Sequence, residues 1–196
     1  MRVQWLTKAF AVVCLCVAAI PALTGEGRGD QPPAAKAEEQ YQPPKPGPEH
    51  AMLAKDVGTW KAVQKMMMDP SKPPQVSEGT QECTLICNGL FLRSDYKVKG
   101  TDGDFHGSSV LGYDAQRKKY TGVWVDNMDT KLYPYEGVWE AGKFNFTMEA
   151  TGQDGKPFTA KMIEERPDDN TRKFSMMMPA PDGKMFTCME ITYTRM

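Results

Sequence analysis

Residues 141–155 read AGKFNFTMEATGQDG, and the fold can be worked out starting from this stretch. Between Phe144 and Ala150 every second side chain is apolar, which is the spacing of a strand with one buried face. Ala141-Gly142 and Asp154-Gly155 bound the strand, and such dipeptides supply the positive φ angles of tight hairpin turns. The stretch therefore predicts one strand of an antiparallel sheet, flanked by two hairpins.

The same turn signal recurs every 12 to 14 residues from residue 88 onward. The predicted turns are Asn88-Gly89, Asp102-Gly103, 115–118, 127–130, Ala141-Gly142, Asp154-Gly155, 168–170 and Asp182-Gly183. A regular series of hairpin turns predicts strands that each pair with the next strand along the chain. With a first strand over 60–68 and a loop over 69–74, the prediction is about ten strands.

Alternation of apolar and polar residues recurs elsewhere in the chain. In the last strand the residues predicted to point inward are Met185, Met189, Ile191 and Tyr193. A long twisted sheet with one apolar face closes on itself, because closure removes the exposed edges and encloses that face. We therefore predict an all-β fold, an antiparallel up-and-down meander closed into a barrel. One short helix is expected over 48–57, with Pro48 in its first turn and Gly58 as its stop.

The N-terminal segment has the pattern of an export signal. Arg2 and Lys8 precede the apolar run 9–20, which is too short to cross a bilayer and fits a signal-peptide core. We predict a signal peptide over 1–25, a disordered Pro-rich linker over 26–47 and a barrel domain over 48–196. The expected location is periplasmic or extracellular.

Charge excludes two classes of partner. Without Arg2 and Lys8 the 24 basic residues fall to 22, against 25 acidic ones, and no basic stripe is present. Nucleic acid and anionic membranes are therefore not expected as partners. We expect no integral membrane span, and the sequence leaves the oligomeric state open.

Three cysteines follow the predicted signal peptide: Cys83, Cys87 and Cys188. Cys83 and Cys87 are read as lying in one strand, which would separate them by about 13 Å, too far for a disulfide. Either of them could pair with Cys188 across strands and leave one thiol free. The other interpretation is three buried, unpaired thiols, and the sequence does not choose between the two.

The segment Gly58-Thr59-Trp60 follows the predicted helix and opens the first strand. This Gly-x-Trp resembles the signature of the lipocalins and related calycins. The resemblance implies that Trp60 packs across the closed end of the barrel and that a basic residue of the last strand covers its indole. Arg195 is the matching residue, and a guanidinium over an indole face is a favourable arrangement.

A second set of residues is spread over the whole folded part. They are Gly47-Pro48-Glu49-His50, Gly58-Thr59-Trp60, Ser77 with Gly79, Gly89 with Phe91-Leu92, Gly112-Tyr113-Asp114, Trp124 with Asp126, Met178-Pro179 with Pro181-Asp182-Gly183, and 189–195 (MEITYTR). On these residues the chain resembles a bacterial family known as domain of unknown function 1579. The resemblance implies a calycin-like barrel of about ten strands and brings no known activity.

No catalytic group is predicted. The chain has only His50 and His106, and no Gly-x-Ser-x-Gly, His-Glu-x-x-His or phosphate loop is present, so we expect a protein that is not an enzyme. His106 could hold haem, but its position after a turn favours an exposed polar residue. The methionine triplets 66–68 and 176–178 could bind copper, but soft core packing is the favoured role. We predict no cofactor and no metal.

Aromatic and methionine side chains share strands with Gly107, Ser109, Gly122 and Gly137, a mixture typical of ligand cavities. The cavity candidates are Tyr96, Tyr113, Trp124, Tyr133, Tyr135, Trp139, Phe144, Phe146, Met176 and Met178. A solid core with glycine kinks is the competing interpretation. The leading hypothesis is a non-enzymatic protein that binds a small hydrophobic molecule at the end opposite Trp60. The alternatives are a structural or interaction module with a filled barrel, and copper handling through Met and Cys.

Overall fold

A computed structural model describes residues 42–67, 69, 72–100, 103–152, 155–180 and 182–196. The predicted signal peptide and residues 26–41 of the predicted linker lie outside the described residues. So do Met68, Asp102, Asp154 and Pro181. Residues 42–47 have no regular secondary structure. The proposed boundaries at 25 and 47 stay predictions.

The described chain folds as ten strands preceded by one short helix. The helix α1 spans Pro48–Ala54. The strands are β1 (Gly58–Met66), β2 (Gln75–Ile86), β3 (Phe91–Val98), β4 (Phe105–Asp114), β5 (Lys119–Asp126), β6 (Tyr133–Glu140), β7 (Lys143–Thr151), β8 (Pro157–Asp168), β9 (Thr171–Pro179) and β10 (Met185–Arg195). The predicted all-β class and the predicted number of strands are confirmed.

Every strand pairs antiparallel with its neighbours in sequence, and β1 closes the sheet by pairing with β10. The closing register places Trp60 opposite Arg195 and Met66 opposite Met189. The predicted meander and its closure into a barrel are therefore confirmed. Closure leaves no strand edge without a partner, which explains why so long an antiparallel sheet is stable.

The two ends of the barrel differ. At the helix end, where β1 begins, α1 covers part of the opening: Leu53 is fully buried, and the Tyr120 hydroxyl donates to the Glu49 carbonyl at 3.2 Å. At the loop end lie the connections after β1, β3, β5, β7 and β9. The barrel thus has one end with a helical cover and one end formed by loops.

The helix α1 is shorter than the predicted 48–57. Pro48 occupies its first turn as expected, and the Gly47 N–H donates to His50 Nδ1 at 2.9 Å. The helix ends at Ala54, because Asp56 N–H bonds the Leu53 carbonyl three residues back, which tightens the last turn. The chain then reaches Gly58, whose φ of +129° is accessible to glycine alone without strain.

A bulge in β10 corrects one predicted orientation. Thr187 pairs with Met177 and Met189 pairs with Met176, so Cys188 is an extra residue on its strand. The extra residue shifts the alternation, and Met185 is exposed instead of pointing inward. Ile191 and Tyr193, beyond the bulge, are buried as predicted.

A tight 3-10 turn over Cys87–Gly89 corrects the reading of Cys83 and Cys87 as one strand. The strand β2 ends at Ile86, and Cys87 and Asn88 have positive φ angles of 51° and 57°. Cys83 is buried whereas Cys87 is exposed. The interpretation with three buried thiols is therefore wrong for Cys87, although all three cysteines are free in the structure.

Candidate functional site

Eight of the ten predicted cavity residues belong to the barrel core or pack against it. They are Tyr96, Tyr113, Trp124, Tyr135, Trp139, Phe144, Phe146 and Met176. Tyr133 lies at the loop end of β6, where its hydroxyl donates to the Asp129 carboxylate. Met178 lies near the loop end of β9 and is half-buried without joining the core.

The glycines on the inward face do not leave open space beside the rings. The pairs, with the distance from a methyl carbon added to the glycine to the ring, are Gly107 and Trp124 (2.1 Å), Gly122 and Tyr135 (2.5 Å), and Gly137 and Phe146 (2.6 Å). The space beside each glycine is therefore filled by an aromatic ring of the protein itself. These contacts favour the competing interpretation of close packing at the three glycines, and the cavity itself stays a prediction.

Several inward side chains keep accessible surface. Half-buried inward residues on β1, β8, β9 and β10 include Gln64, Glu164, Phe174, Met176 and Met189, and those on β4 to β7 include Ser109, Tyr113, Trp124, Tyr135, Trp139 and Met148. Because these side chains point into a closed barrel, their exposed surface borders space inside it. The strands β1, β10, β9 and β8 are consecutive around the barrel, so Gln64, Met189, Phe174, Met176 and Glu164 lie on neighbouring strands.

Trp60 lies between two guanidinium groups at the helix end. The Arg195 Cζ is 4.2 Å from the centre of the indole, and the Arg172 Cζ is 4.3 Å from it. The indole Nε1 donates to the Asp56 carbonyl at 2.8 Å. Residue 58 has to be a glycine in this arrangement, because a methyl group there would lie only 2.9 Å from Nη1 of Arg195. The predicted closure residues are thus in mutual contact.

A cluster of four charged side chains fills the inner side of the helix end. Its members are Asp56, Glu164, Arg166 and Arg172. Arg166 donates to Asp56 from Nε at 2.9 Å and from Nη2 at 2.5 Å. Nη1 of Arg172 lies 3.5 Å from Asp56, and Nη2 of Arg172 donates to the Gln81 amide oxygen. We call this set the charged cluster.

Aromatic rings surround the two guanidinium groups of the charged cluster. The Arg172 Cζ is 4.6 Å from the Tyr193 ring, in addition to its contact with Trp60. The Arg166 Cζ is 4.7 Å from the Phe144 ring and 5.2 Å from the Trp139 ring. Such contacts favour the charged form of a buried guanidinium.

Burial raises the pKa of Glu164, and the nearby Asp56 carboxylate raises it further, while Arg172 and Arg166 act in the opposite direction. Burial lowers the pKa of Arg172, but the carboxylates of Glu164 and Asp56 outweigh this effect and the net pKa is raised. Arg172 therefore stays charged. The charge of the cluster is zero with both carboxylates ionised, and it becomes positive when Glu164 takes up a proton.

Two buried N–H groups of the cluster, Arg166 Nη1 and Arg172 Nε, have no hydrogen-bond partner among the described residues. A recess of about 360 Å³ reaches the same two arginines from outside, between α1 and the turns at the helix end. Its wall includes Asp56, Trp60 and Trp139. The cluster thus separates this external recess from the interior of the barrel.

The sequence reasoning missed the charged cluster, although a signal for part of it was present. Glu164 and Arg166 continue the inward phase of β8 set by Ala160 and Met162, which are buried. Charged residues at inward positions of a strand predict buried partners of opposite charge, because an unpaired buried charge is costly. The partner Asp56 lies outside the strands, 110 residues away from Arg166, and only barrel closure brings it near.

The position of His106 gives no support to the haem alternative. His106 is exposed and lies on the outer face of β4, where it cannot reach the interior. The described residues contain no group of three His, Cys, Asp or Glu side chains that could hold a metal ion. The methionines Met66, Met189 and Met176 do pair across β1, β10 and β9, so copper handling through methionine stays a hypothesis. Likewise, none of the described helices has the length and apolar character needed to cross a membrane.

Comparison with solved structures returns barrels of low sequence identity. An S-type phycobiliprotein lyase from Guillardia theta has a TM-score of 0.48 and 12% identity, covering 76% of this chain and 92% of the lyase. A redesigned beta barrel has a TM-score of 0.41 and 11% identity, covering 74% of this chain and 94% of the design. A protein of unknown function from the DUF3598 family of Nostoc punctiforme has a TM-score of 0.40 and 14% identity, covering 74% of this chain and 48% of that protein.

No functionally curated protein matches the chain in sequence. A family model does match, over residues 45–195, which is nearly all of the barrel domain. The model is described as a protein of unknown function, DUF1579. The expected family resemblance is thereby confirmed, and the chain belongs to the DUF1579 family.

Proposed function

We propose that this protein is a non-enzymatic binding protein that holds a small, largely hydrophobic molecule inside its barrel. One observation carries the proposal: inward side chains on β1, β8, β9 and β10 keep accessible surface within a closed barrel. Phe174, Met176 and Met189 supply an apolar wall, and flexible methionines adapt to ligands of varied shape. On the basis of the predicted export signal, we propose that this binding takes place in the periplasm or outside the cell.

The experiment is native mass spectrometry of the purified protein, combined with organic extraction and titration with the neutral dye Nile red. A co-purifying small molecule, or dye fluorescence that rises to saturation, is the expected result. The intact mass also tests export, because removal of residues 1–25 is expected from a secreting host. Absence of both ligand and dye binding would contradict the proposal.

Two neighbouring methionines offer a matched pair of variants. Met176 points into the barrel and packs against the core, whereas Met177 points to the outer face of the same strand. Met176→Trp should reduce Nile red binding because the larger ring occupies the interior space, and Met177→Trp should leave binding unchanged. Circular dichroism of both variants shows whether each one is folded. Equal binding by the two variants would place the dye outside the barrel.

A second candidate, an interaction module, is favoured by the exposed apolar side chains at the loop end. The exposed fractions there are 61% for Val76, 76% for Met128, 70% for Leu132 and 40% for Met185. Exposed apolar surface often marks contacts with other proteins. Sedimentation of the wild type and of a Met128→Ser, Leu132→Ser variant tests this, since self-association that the variant abolishes would support the module.

A further inference from the structure

The interior space and the charged cluster meet at Glu164. Its side chain is 17% exposed, whereas those of Asp56 and Arg172 are 3% exposed. Glu164 pairs with Phe174 of β9, whose inward ring is also half-buried. A molecule inside the barrel therefore contacts Glu164 before any other member of the cluster.

The Glu164 carboxyl group is held only loosely by its neighbours. Within the described residues it makes no hydrogen bond, and its Oε1 lies 3.6 Å from Arg166 Nη2 and 3.8 Å from Arg172 Nη1. Both guanidinium groups also keep one N–H without a partner. Buried donors without acceptors are costly, so this region has unused capacity to bind oxygen atoms.

Charge decides which kind of head group fits beside Glu164. A cation there would approach two guanidinium groups that are already within 4 Å of the carboxylate. An anion would be attracted by both guanidinium groups, provided that Glu164 is protonated and its own charge is gone. A protonated carboxyl group could also donate a hydrogen bond to an anionic oxygen, and hydrogen bonds to charged acceptors are strong ones.

Resting on the binding function proposed above, we infer that Glu164, Arg166 and Arg172 form the head-group site for a carboxylate amphiphile, whose binding is accompanied by uptake of one proton from water by Glu164. The carboxylate lies beside Glu164 and the two guanidinium groups, and the hydrocarbon chain extends along Phe174 and Met176. Burial, which raises the pKa of Glu164, favours the protonated state that the bound anion requires.

The charged and titratable groups that face Glu164 come from six elements. They are Asp56 after α1, Cys83 on β2, Tyr135 on β6, Arg166 on β8, Arg172 on β9 and Tyr193 on β10. Burial raises the pKa of Cys83, Tyr135 and Tyr193 as well, so these three stay neutral near pH 7. Burial also raises the pKa of Glu164, which is the more exposed carboxyl group of this set, so Glu164 is the group that we expect to take up the proton.

The length of β8 sets the size of the hydrocarbon chain. Glu164 lies seven positions after Pro157 at the loop end, which corresponds to a height of about 18 Å for a strand tilted by about 40°. A saturated chain of about twelve carbons fits this height. Dodecanoate is therefore the probe, with dodecanol and dodecyltrimethylammonium as neutral and cationic probes of equal length.

The experiment is isothermal titration calorimetry of the full chain at pH 6 and pH 8, in two buffers that differ in ionisation enthalpy. Dodecanoate should bind more tightly at pH 6, and the buffer dependence at pH 8 should report close to one proton taken up per ligand. Dodecanol should bind with little pH dependence. Dodecyltrimethylammonium should bind most weakly of the three.

Two variants with matched controls assign the effect to the cluster. Glu164→Gln should tighten dodecanoate binding at pH 8 by about tenfold and abolish proton uptake, because the cluster then carries a positive charge without a proton. Arg172→Met should weaken dodecanoate binding by at least about tenfold and change dodecanol binding much less. The adjacent outward residues provide the controls Glu165→Gln and Lys173→Met, which should behave as wild type.

The outcomes separate this inference from the proposed function. If dodecanol and dodecanoate both fail to bind, the binding function and the head-group site are both overturned. If dodecanol binds as tightly as dodecanoate, or Glu164→Gln changes neither affinity nor proton uptake, only the head-group site is overturned. Acetate binding as tightly as dodecanoate would place the anion in the external recess and also overturn it. Because Glu164→Gln is expected to gain affinity, its result does not depend on whether Arg172→Met folds.

Discussion

Asp56 and Arg166 form a two-point ion pair that joins the end of α1 to β8. Their side chains are 3% and 9% exposed, and Arg166 donates from Nε at 2.9 Å and from Nη2 at 2.5 Å. Removing one partner of a buried pair leaves an uncompensated charge, so Asp56→Asn should lower the free energy of unfolding by about 3–5 kcal/mol. Urea denaturation measures the change.

A surface pair provides the control for the Asp56 prediction. Lys61 and Glu78 lie 3.0 Å apart but are 51% and 66% exposed, and Glu78→Gln should cost less than about 1 kcal/mol. Replacing both buried partners, Asp56→Leu with Arg166→Met, should recover part of the stability lost in Asp56→Asn. Equal losses for Asp56→Asn and Glu78→Gln would contradict the prediction.

Arg195 stabilises the closure of the barrel through its geometry as well as its charge. It donates from Nη1 to Val57 and from Nη2 to Lys55, each at 2.7 Å, and from Nε to Asp169 at 3.1 Å, all to carbonyl oxygens. A lysine cannot supply this fork of donors, so Arg195→Lys should lower the free energy of unfolding by about 1–3 kcal/mol. Thermal unfolding followed by tryptophan fluorescence tests this, and an unchanged melting temperature would refute it.

The barrel itself could be predicted from sequence because its connections are short. Regularly spaced tight turns, such as Ala141-Gly142 and Asp154-Gly155, make each strand pair with the next strand along the chain. Local sequence therefore determines most of the topology. The bulge at Cys188 has no such signal. An extra residue in a strand changes which side chains point inward. The sequence around Met185 is equally compatible with a regular strand and with a bulged strand.

The charged cluster could not be assembled from sequence for a different reason. Arg172 and Glu164 occupy inward positions of neighbouring strands, which a pattern can suggest. Their contact with Asp56 depends on how α1 covers the helix end, and that arrangement arises only after the sheet has closed. The predicted cavity residues, in contrast, are aromatic and methionine side chains, and alternation alone predicts the burial of the eight that join the core. Alternation does not tell whether a core is filled or hollow.

Glu164 should make stability depend on pH. Burial raises the pKa of this carboxyl group in the folded state, so the folded protein binds its proton more tightly than the unfolded chain does. The contribution of Glu164 to the free energy of unfolding is fully present below the ordinary pKa of glutamate, about 4.3. This contribution is lost as the pH rises through the raised pKa that Glu164 has in the folded protein. The free energy of unfolding of wild type should therefore fall relative to that of Glu164→Gln between pH 4 and pH 8.

Urea denaturation at a series of pH values gives the comparison. Taking the difference between the two proteins removes the contribution of all other titrating groups. Glu165→Gln, which changes the adjacent exposed carboxyl group on the outer face, controls for the loss of one negative charge. If the free energy of unfolding of wild type instead rises relative to that of Glu164→Gln as the pH increases from 4 to 8, the prediction is wrong.

The three cysteines of the barrel should react with thiol reagents at very different rates. Cys87 is exposed, whereas Cys83 is buried 3.3 Å from the Ser94 hydroxyl and Cys188 is buried 3.4 Å from the Met176 carbonyl. Burial raises the pKa of Cys83 and Cys188, which lowers the fraction of reactive thiolate. Maleimide labelling followed by peptide mass mapping should find Cys87 modified first and the other two only after unfolding. Fast labelling of Cys188 in the native protein would show that the β10 bulge opens.

Gly107 should resist substitution because the Trp124 ring rests on its backbone. A methyl group at this position would lie 2.1 Å from Cζ2 of the indole, far inside normal contact. Gly107→Ala should therefore lower the free energy of unfolding by about 1–3 kcal/mol through overpacking. Trp124→Phe removes the ring atoms nearest the new methyl group, so the double variant should lose less than the sum of the two single variants. Additive losses in urea denaturation would show that the ring does not constrain Gly107, since coupling between contacting residues is what a double-mutant cycle detects.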